Sequence, residues 1–576
     1  MRRLIGLVVT AALVACGGGS GPSREQTLHA SVISDPKSFN VVTAREVSTS
    51  DIMGLVFEGL VRSDPKTFEI LPNLADTWSV APDGTHWTFH LRQDVHWSDG
   101  VLLTADDVMY SFQKLYLDTN VASGAPDLLQ IDGKLFTIEK NDTWTVTFFT
   151  HEPFAPFLRS IGFGILPAHR YGSIADFNQA LGINTPAAEI VGTGPFMLSE
   201  FKPGERVVLV ANPNYWMKDE EGKALPRLAK ILIHIVPDLD AEAEWFKAGK
   251  TDYIGVRGKD WPVLAQNSAG FKLWNLGPRF ISQFVFFNHN LAGKIPDKKK
   301  AWFRDREFRT AIAWAIDRQT IVDGIYNSLA FEQHSCVPDA NKVFYDSGVF
   351  RYPYDLQRAA DILKQAGYAR GADGKLRDKS GNIVAFELIT NAENNERVKT
   401  ASVIKESLAQ LGIDVHVNAM AFNALVDRLD NDLDWEAAML GFTASIDPNN
   451  GANLWRVEGD LHMFNQKPRK PPEDAPVQAR RDWQNAVAKW KQGIQPWERE
   501  IEELINTGAK TIDPAARWQI YSRIQRIVSR EVPFVYTVAP AALYATRDQL
   551  KNVDPSPAGS TSMSAVLHNV ERLSRE

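Results

Sequence analysis

The residues best suited to hold a small molecule lie in one run, Gly441-Phe442-Thr443-Ala444-Ser445-Ile446-Asp447-Pro448-Asn449-Asn450, followed by Leu454-Trp455. Its small residues let a ligand backbone come close to the protein backbone, and Phe442 and Trp455 supply flat apolar walls. Such contacts bind; they break no bonds. The spacings that catalysis requires are missing: there is no His-Glu-x-x-His, no paired-cysteine motif and no Gly-x-Ser-x-Gly elbow. The twelve histidines are scattered, and His86 and His90, on one strand face, read as two solvated imidazoles rather than a metal pair. Glu500, Glu502 and Glu503 read as the solvated face of a charged helix. The expectation is capture of a small solute with no covalent chemistry, no metal and no cofactor. A secreted hydrolase using the same groove is the alternative from a different class, and it would need a nucleophile or carboxylate pair that is not recognisable here.

The elements around that run explain why it should sit at a cleft. It follows the apolar strand Ala437 to Leu440, so it leaves a strand end, where α/β proteins place ligands. Phe386, Leu388 and Thr390, a helix over 396–411, and Ile413, Val415 and Val417 spell strand, helix, strand, which requires a parallel crossover. Phe284 to Asn288 reads as another strand. Phe303-Arg304-Asp305 with Phe308, Ile312, Ala315 and Ile316 reads as one amphipathic helix ending at Asp317-Arg318. Asp355 to Gly367 is a further helix. Asp513-Pro514 starts a late one as cap and first position, and Val532 to Val538 is expected to return to the first lobe.

The strongest local agreement of spacing and capping lies between Leu74 and Phe112. Trp87, Phe89 and Leu91 alternate with His86, Thr88, His90 and Arg92 as in a half-buried strand, bounded by turns at Asp83-Gly84 and Ser98-Asp99-Gly100. Thr104 stands three residues before Asp107, a capping-box start for a helix carrying Val108, Phe112, Leu115 and Tyr116. Leu74-Ala75, Trp78, Asp83-Gly84, Trp87, Phe89, Leu91-Arg92, Val95, Trp97 to Gly100 and Leu103 to Val108 together resemble the signature of the family 5 extracellular solute-binding proteins. That group includes the oligopeptide-, dipeptide- and nickel-binding receptors of bacterial ABC importers. Phe57-Glu58-Gly59-Leu60 resembles the family as well.

The resemblance implies a periplasmic-binding-protein-like type II fold, two α/β lobes around a cleft with an extra small lobe of architectural role. Lobe I is then expected from 27–67, 186–280 and 532–576, the small lobe from 68–185 and lobe III from 281–531. Gly192-Thr193-Gly194-Pro195-Phe196 fits a tight turn re-entering lobe I better than a phosphate loop, since no Lys-Ser or Lys-Thr follows. The family places the loop at Phe39-Asn40 at the cleft mouth, and these two, Asn288, Gly441, Phe442, Thr443, Ser445, Asp447 and Trp455 are the ligand-binding candidates. In peptide-binding members an acidic residue of the loop pairs with the ligand's amino terminus. That position is Ser445 here, so either Asp447 takes over or the ligand is not a free peptide. Peptide is the first ligand class, oligosaccharide the second and a nickel or other metal complex the third.

Size and composition agree with an exported receptor. A chain of 576 residues exceeds one hydrophobic core. With 44% apolar residues, 23% charged residues and a net charge of -7, it is an ordinary globular chain without the basic patches that nucleic acid requires. Arg2-Arg3, the short apolar run Leu4 to Val14 and Leu13-Val14-Ala15-Cys16 resemble a lipoprotein signal peptide over 1–16 with Cys16 as the acylated residue. Residues 17–26, rich in Gly and Ser, read as a tether. With Cys16 acylated, Cys336 has no disulfide partner and reads as a small hydrophobe. The expected state is a monomer on a lipid anchor, periplasmic or at the cell surface, delivering solute to a permease with its ATPase subunits.

Overall fold

A computed structural model describes residues 26–559 and 561–576 of the chain; the leader 1–16 with Cys16, and the tether up to residue 25, lie outside the described residues. The lobe that carries the ligand loop is built on a five-stranded sheet in the order Asp414–Met420, Ala385–Asn391, Ala437–Thr443, Ile281–Phe287, Phe534–Tyr536. The first three strands are parallel and the last two run antiparallel to their neighbours. Helix Asn395–Gln410 makes the parallel crossover. Strand Ile281–Phe287 is apolar on both sides because both sides are covered. Val285 and Phe287 pack with Phe308, Ile312 and Ile404, whereas Phe284 and Phe286 pack with Trp435, Phe464 and Tyr521.

Three boundaries differ from the sequence expectation. Strand Phe534–Tyr536 pairs within this sheet, so the chain returns to lobe I only with Val538–Arg547 and not at Val532. The single helix expected from Phe303 to Ile316 is two, Asp297–Arg304 and Arg306–Ala315, parted at Asp305, whose carboxylate accepts from the Glu307 N–H at 3.0 Å. Asp317 does not end a helix but caps the next, Arg318–Gly324, by accepting from Thr320 N–H at 3.0 Å. The cause is common to both: an aspartate whose side chain satisfies a free helix N–H starts a helix more strongly than apolar periodicity continues one.

Lobe I holds the sheet Thr27–Val32, Lys230–Ile235, Arg206–Ala211, Phe196–Lys202. It also holds a second sheet, in which the long strand Val538–Arg547 lies between Tyr253–Gly255 and Phe271–Pro278. The close crossing at Gly192 and Gly194 explains those glycines: a Cβ would lie 2.0 Å from the Val56 carbonyl oxygen at the first and 2.6 Å from that of Leu55 at the second. The small lobe is a four-stranded sheet, Ala75–Val80, His86–Leu91, Thr145–Phe149, Thr137–Asp142, with the Thr104–Asp107 capping box beside it. Its Phe89, Phe112 and Phe148 belong to the same hydrophobic core as Leu28, Ile52 and Ile231 of lobe I, so the two are packed as one body.

Contacts across the rim join this body to lobe III. Arg45 pairs with Asp460 at 2.6 Å, Asn395 donates to Asp240 at 2.7 Å, and Lys510 pairs with Glu152 at 2.9 Å. No helix among the described residues is long and apolar enough to cross a membrane.

Candidate ligand-binding site between the lobes

The loop after Ala437–Thr443 is held open by its own chemistry. Asp447 accepts from the Asn449 N–H at 3.0 Å and so caps the short 3-10 turn Pro448–Gly451. Both its oxygens also accept from Arg517, at 2.7 Å and 2.7 Å, and Arg517 donates in turn to the Gly508 carbonyl. Both side chains are buried. Asp447 is therefore spent on fixing the loop to helix Pro514–Glu531, and of the alternatives left open by the sequence the one in which it takes over as amine partner is disfavoured: a bidentate, buried pair has little charge left for a ligand ammonium.

The loop encloses a cavity of about 220 Å³ with Phe442, Ser445, Leu454 and Trp455 in its wall. Phe442 lies edge-on to Phe284 at 5.2 Å, and Trp455 edge-on to Phe534 at 5.7 Å. Thr443 and Ser445 are exposed. Cys336 also lines this cavity, a free thiol that burial pushes up to about 12, so it stays protonated.

Three candidates sit elsewhere. Phe39 is fully buried against Phe201, and Asn40 donates to the carbonyls of Phe177 and Ala180 at 2.9 and 3.1 Å while accepting from Val42 N–H at 3.0 Å. Asn288 donates to the Trp435 carbonyl at 2.9 Å and accepts from Asn290 N–H at 3.0 Å. Both asparagines are occupied in staples between loops, so they and Phe39 are corrected to scaffold residues.

A second cavity, about 310 Å³, lies on the other side of strand Ile281–Phe287 and is walled by both lobes. Lobe I supplies Glu242, Arg257 and Arg279; lobe III supplies Gln283, Glu396 and Arg397. Arg257 is paired with Asp240 at 2.8 Å and Asp260 at 2.6 Å. Arg279 and Arg397 have no ion pair among the described residues, and the Nε of each is buried without a hydrogen-bond partner, as are Glu396 Oε1 and Gln283 Oε1. Gly441 proves to be small for packing: a Cβ there would stand 2.9 Å from the Ser282 carbonyl oxygen of the neighbouring strand and 3.1 Å from Arg397 Nη2. Nothing in the periodicity around these residues marked them. Arg397 and Glu396 occupy the first turn of a helix and Glu242 the face of another, where charge is ordinarily solvated.

Burial holds the carboxyls of Glu242 and Glu396 up at about 7. Ser31 donates to Glu242 at 3.0 Å, which offsets only part of the desolvation. The unfolded chain loses the Glu242 proton near its ordinary value of 4.5 while the folded chain keeps it to about 7, so stability falls as pH rises through that window. Glu242→Gln should remove this contribution. Denaturant unfolding at pH 5 and pH 7.5 should show the variant losing less stability than wild type between the two; equal losses would contradict the burial argument.

No group of three or more His, Cys, Asp or Glu among the described residues is placed to hold a metal ion. The model of the middle region of the bacterial extracellular solute-binding proteins, family 5, matches residues 69–461. A probable ABC transporter-binding protein of Deinococcus radiodurans is 29% identical over 85% of this chain and 83% of its own. The oligopeptide-binding protein AppA of Bacillus subtilis, solved with a nonapeptide, superposes with a TM-score of 0.78 at 21% identity, covering 96% of this chain and 99% of that one. The periplasmic binding protein MelB of Agrobacterium fabrum, solved with stachyose, superposes with a TM-score of 0.79 at 20% identity, covering 96% of this chain and 85% of that one. All three are named for binding. A two-lobed α/β architecture with a polar interlobe cavity and a loop pocket, matched by the family model over most of its length, makes this chain a member of the family 5 bacterial extracellular solute-binding proteins.

Proposed function

We propose that the chain is the solute-capturing lipoprotein of a bacterial ABC importer, that it takes a short peptide between its lobes and that it passes the peptide to the permease. The observation that carries this reading is the charge of the interlobe cavity: Arg279 and Arg397, each with a buried Nε that has no hydrogen-bond partner, beside the desolvated carboxyls of Glu242 and Glu396. Buried charges without partners are costly, and a zwitterion offers both signs at once. A neutral sugar offers neither. Contacts to both lobes then stabilise the closed arrangement over the open one.

The test is the ligand-induced rise in unfolding free energy, which reaches about 2.7 kcal/mol at a hundredfold excess over Kd. Trialanine should produce it and lower the radius of gyration in small-angle scattering; stachyose should do neither. The aromatic pair Phe442 and Trp455 in the loop cavity favours oligosaccharide as the second reading, and the reverse result would establish it.

Anchoring is tested separately. A lipid on Cys16 supplies about 0.8 kcal/mol of membrane affinity per buried methylene. Cys16→Ala should therefore move the protein from the membrane to the soluble fraction, and unchanged fractionation would refute the anchor.

A further inference from the structure

At the rim of the cleft the small lobe meets the end of helix Pro496–Lys510 of lobe III. The last carbonyls of a helix lack donors within it, and other groups supply them here. Thr507 accepts from the N–H of the cap residue Thr511 at 3.1 Å, and Gly508 from Arg517 Nε at 2.9 Å. Ala509 accepts from the N–H of Ala155, a residue of the small lobe, at 2.8 Å. Ala509 is also buried, in the same hydrophobic core as Phe136 and Phe154 of that lobe. Lys510 pairs with Glu152 at 2.9 Å and with Asp132. Asp132 stands in the two-residue turn of the hairpin Gln130–Ile131, Lys134–Leu135, where it and Gly133 both take positive φ, 50° and 77°. Nearby, the Asp460 N–H donates to Asp127 at 3.3 Å, and buried Arg456 reaches the Gln130 carbonyl at 3.5 Å.

The small lobe has no chain connection of its own to lobe III. It is an excursion from lobe I, and the chain enters the lobe III sheet only at Ile281, after Pro278. A backbone hydrogen bond, a buried alanine and a shared ammonium between bodies joined in this way last only while the cleft is narrow. Opening returns the Ala509 carbonyl and three charges to water, which solvates them well, so the contact is weak enough to release. A receptor needs that, since its lobes must part to admit and discharge solute. The same helix end also bears on the ligand loop, because the Arg517 guanidinium holds both the Gly508 carbonyl and Asp447.

We propose that the small lobe and the end of helix Pro496–Lys510 form a releasable latch that holds the lobes together at the rim. Closure then draws on the latch as well as on solute contacts, and the apparent affinity for any solute scales with the fraction of protein that is latched. The latch goes beyond peptide capture and does not depend on the class of solute.

The probe is the Ala155 amide, whose hydrogen is shielded while Ala509 accepts it. Protein refolded from denaturant, to strip bound solute, is followed by hydrogen exchange read at single residues by mass spectrometry. Two amides are controls: Thr150, bonded to Thr85 inside the small lobe at 2.8 Å, and Thr511, bonded to Thr507 at the helix end. Lys510→Glu turns two attractions into two repulsions and should speed exchange at Ala155 by about tenfold while both controls stay as in wild type. Adding Glu152→Lys and Asp132→Asn to Lys510→Glu restores a pair of opposite charges and should return Ala155 to near wild-type protection; asparagine is chosen because it tolerates the positive φ at position 132. Small-angle scattering should show a larger radius of gyration for Lys510→Glu alone. Unchanged exchange at Ala155 in Lys510→Glu would overturn the latch, as would a charge-swapped protein no better protected there than Lys510→Glu. Fast exchange at Ala155 with a wild-type radius would mean local fraying and would overturn it too. None of these outcomes involves a peptide, so peptide capture stands or falls separately.

Discussion

Asp447→Asn should lower the unfolding free energy by about 3–5 kcal/mol, the usual cost of removing one partner of a buried ion pair. The substitution isolates charge from shape. Asparagine can still cap the turn Pro448–Gly451, so the loss comes from leaving Arg517 buried beside a neutral amide. Pairing it with Arg517→Met should recover much of the deficit, because the charge that made the single change expensive is gone. Denaturant unfolding of the two single variants and the double variant gives the coupling directly. A single-variant loss below about 1 kcal/mol, as for an exposed pair, would mean that Asp447 and Arg517 are not the clamp that holds the loop.

Trp455→Ala should act twice. In the ligand-free protein it removes a ring packed edge-on against Phe534 and opens space under the loop, at about 3–5 kcal/mol. In the complex it removes an apolar wall, and truncation of such an anchor weakens binding by about 2 kcal/mol or more. Melting temperature alone would merge the two. The binding part is the ligand-induced shift of the variant referenced to its own ligand-free state, compared with that of wild type. Trp455→Phe should restore most of the stability and part of the shift. An unchanged shift in Trp455→Ala would remove this cavity from the ligand path and leave the charged interlobe cavity to bind alone.

Arg159 and Asp447 change what the small lobe and the loop mean. The small lobe shares the core of lobe I and, through Arg159, lines the cavity beside the loop. The loop lacks an acidic side chain free for an amine, which the exposed Ser445 already suggested and the Asp447–Arg517 pair completes.

Whatever repeats within one element was legible from the sequence. The alternation Trp87, Phe89, Leu91, the capping box at Thr104 and Asp107, the crossover through helix Asn395–Gln410 and the turn at the end of Ala437–Thr443 all follow from spacings of two to four residues and from local turn chemistry. The resemblance rests on those same local patterns, so the family and the candidate loop could be read from them. Charge partners could not. Ser31 meets Glu242 across 211 residues, and Asp447 meets Arg517 across 70. Whether a carboxylate is clamped, desolvated or open to a ligand depends on which distant strand or helix the packing of the lobes brings beside it. The resemblance put Phe39 and Asn40 at the cleft mouth, where the structure has them buried in scaffold contacts, and periodicity, which records only that a position faces inward or outward, gave no sign of Arg279, Glu396 or Arg397. Tertiary packing decided all of these, because the free energy of a buried charge is set by neighbours a few ångströms away in space, whatever their separation along the chain.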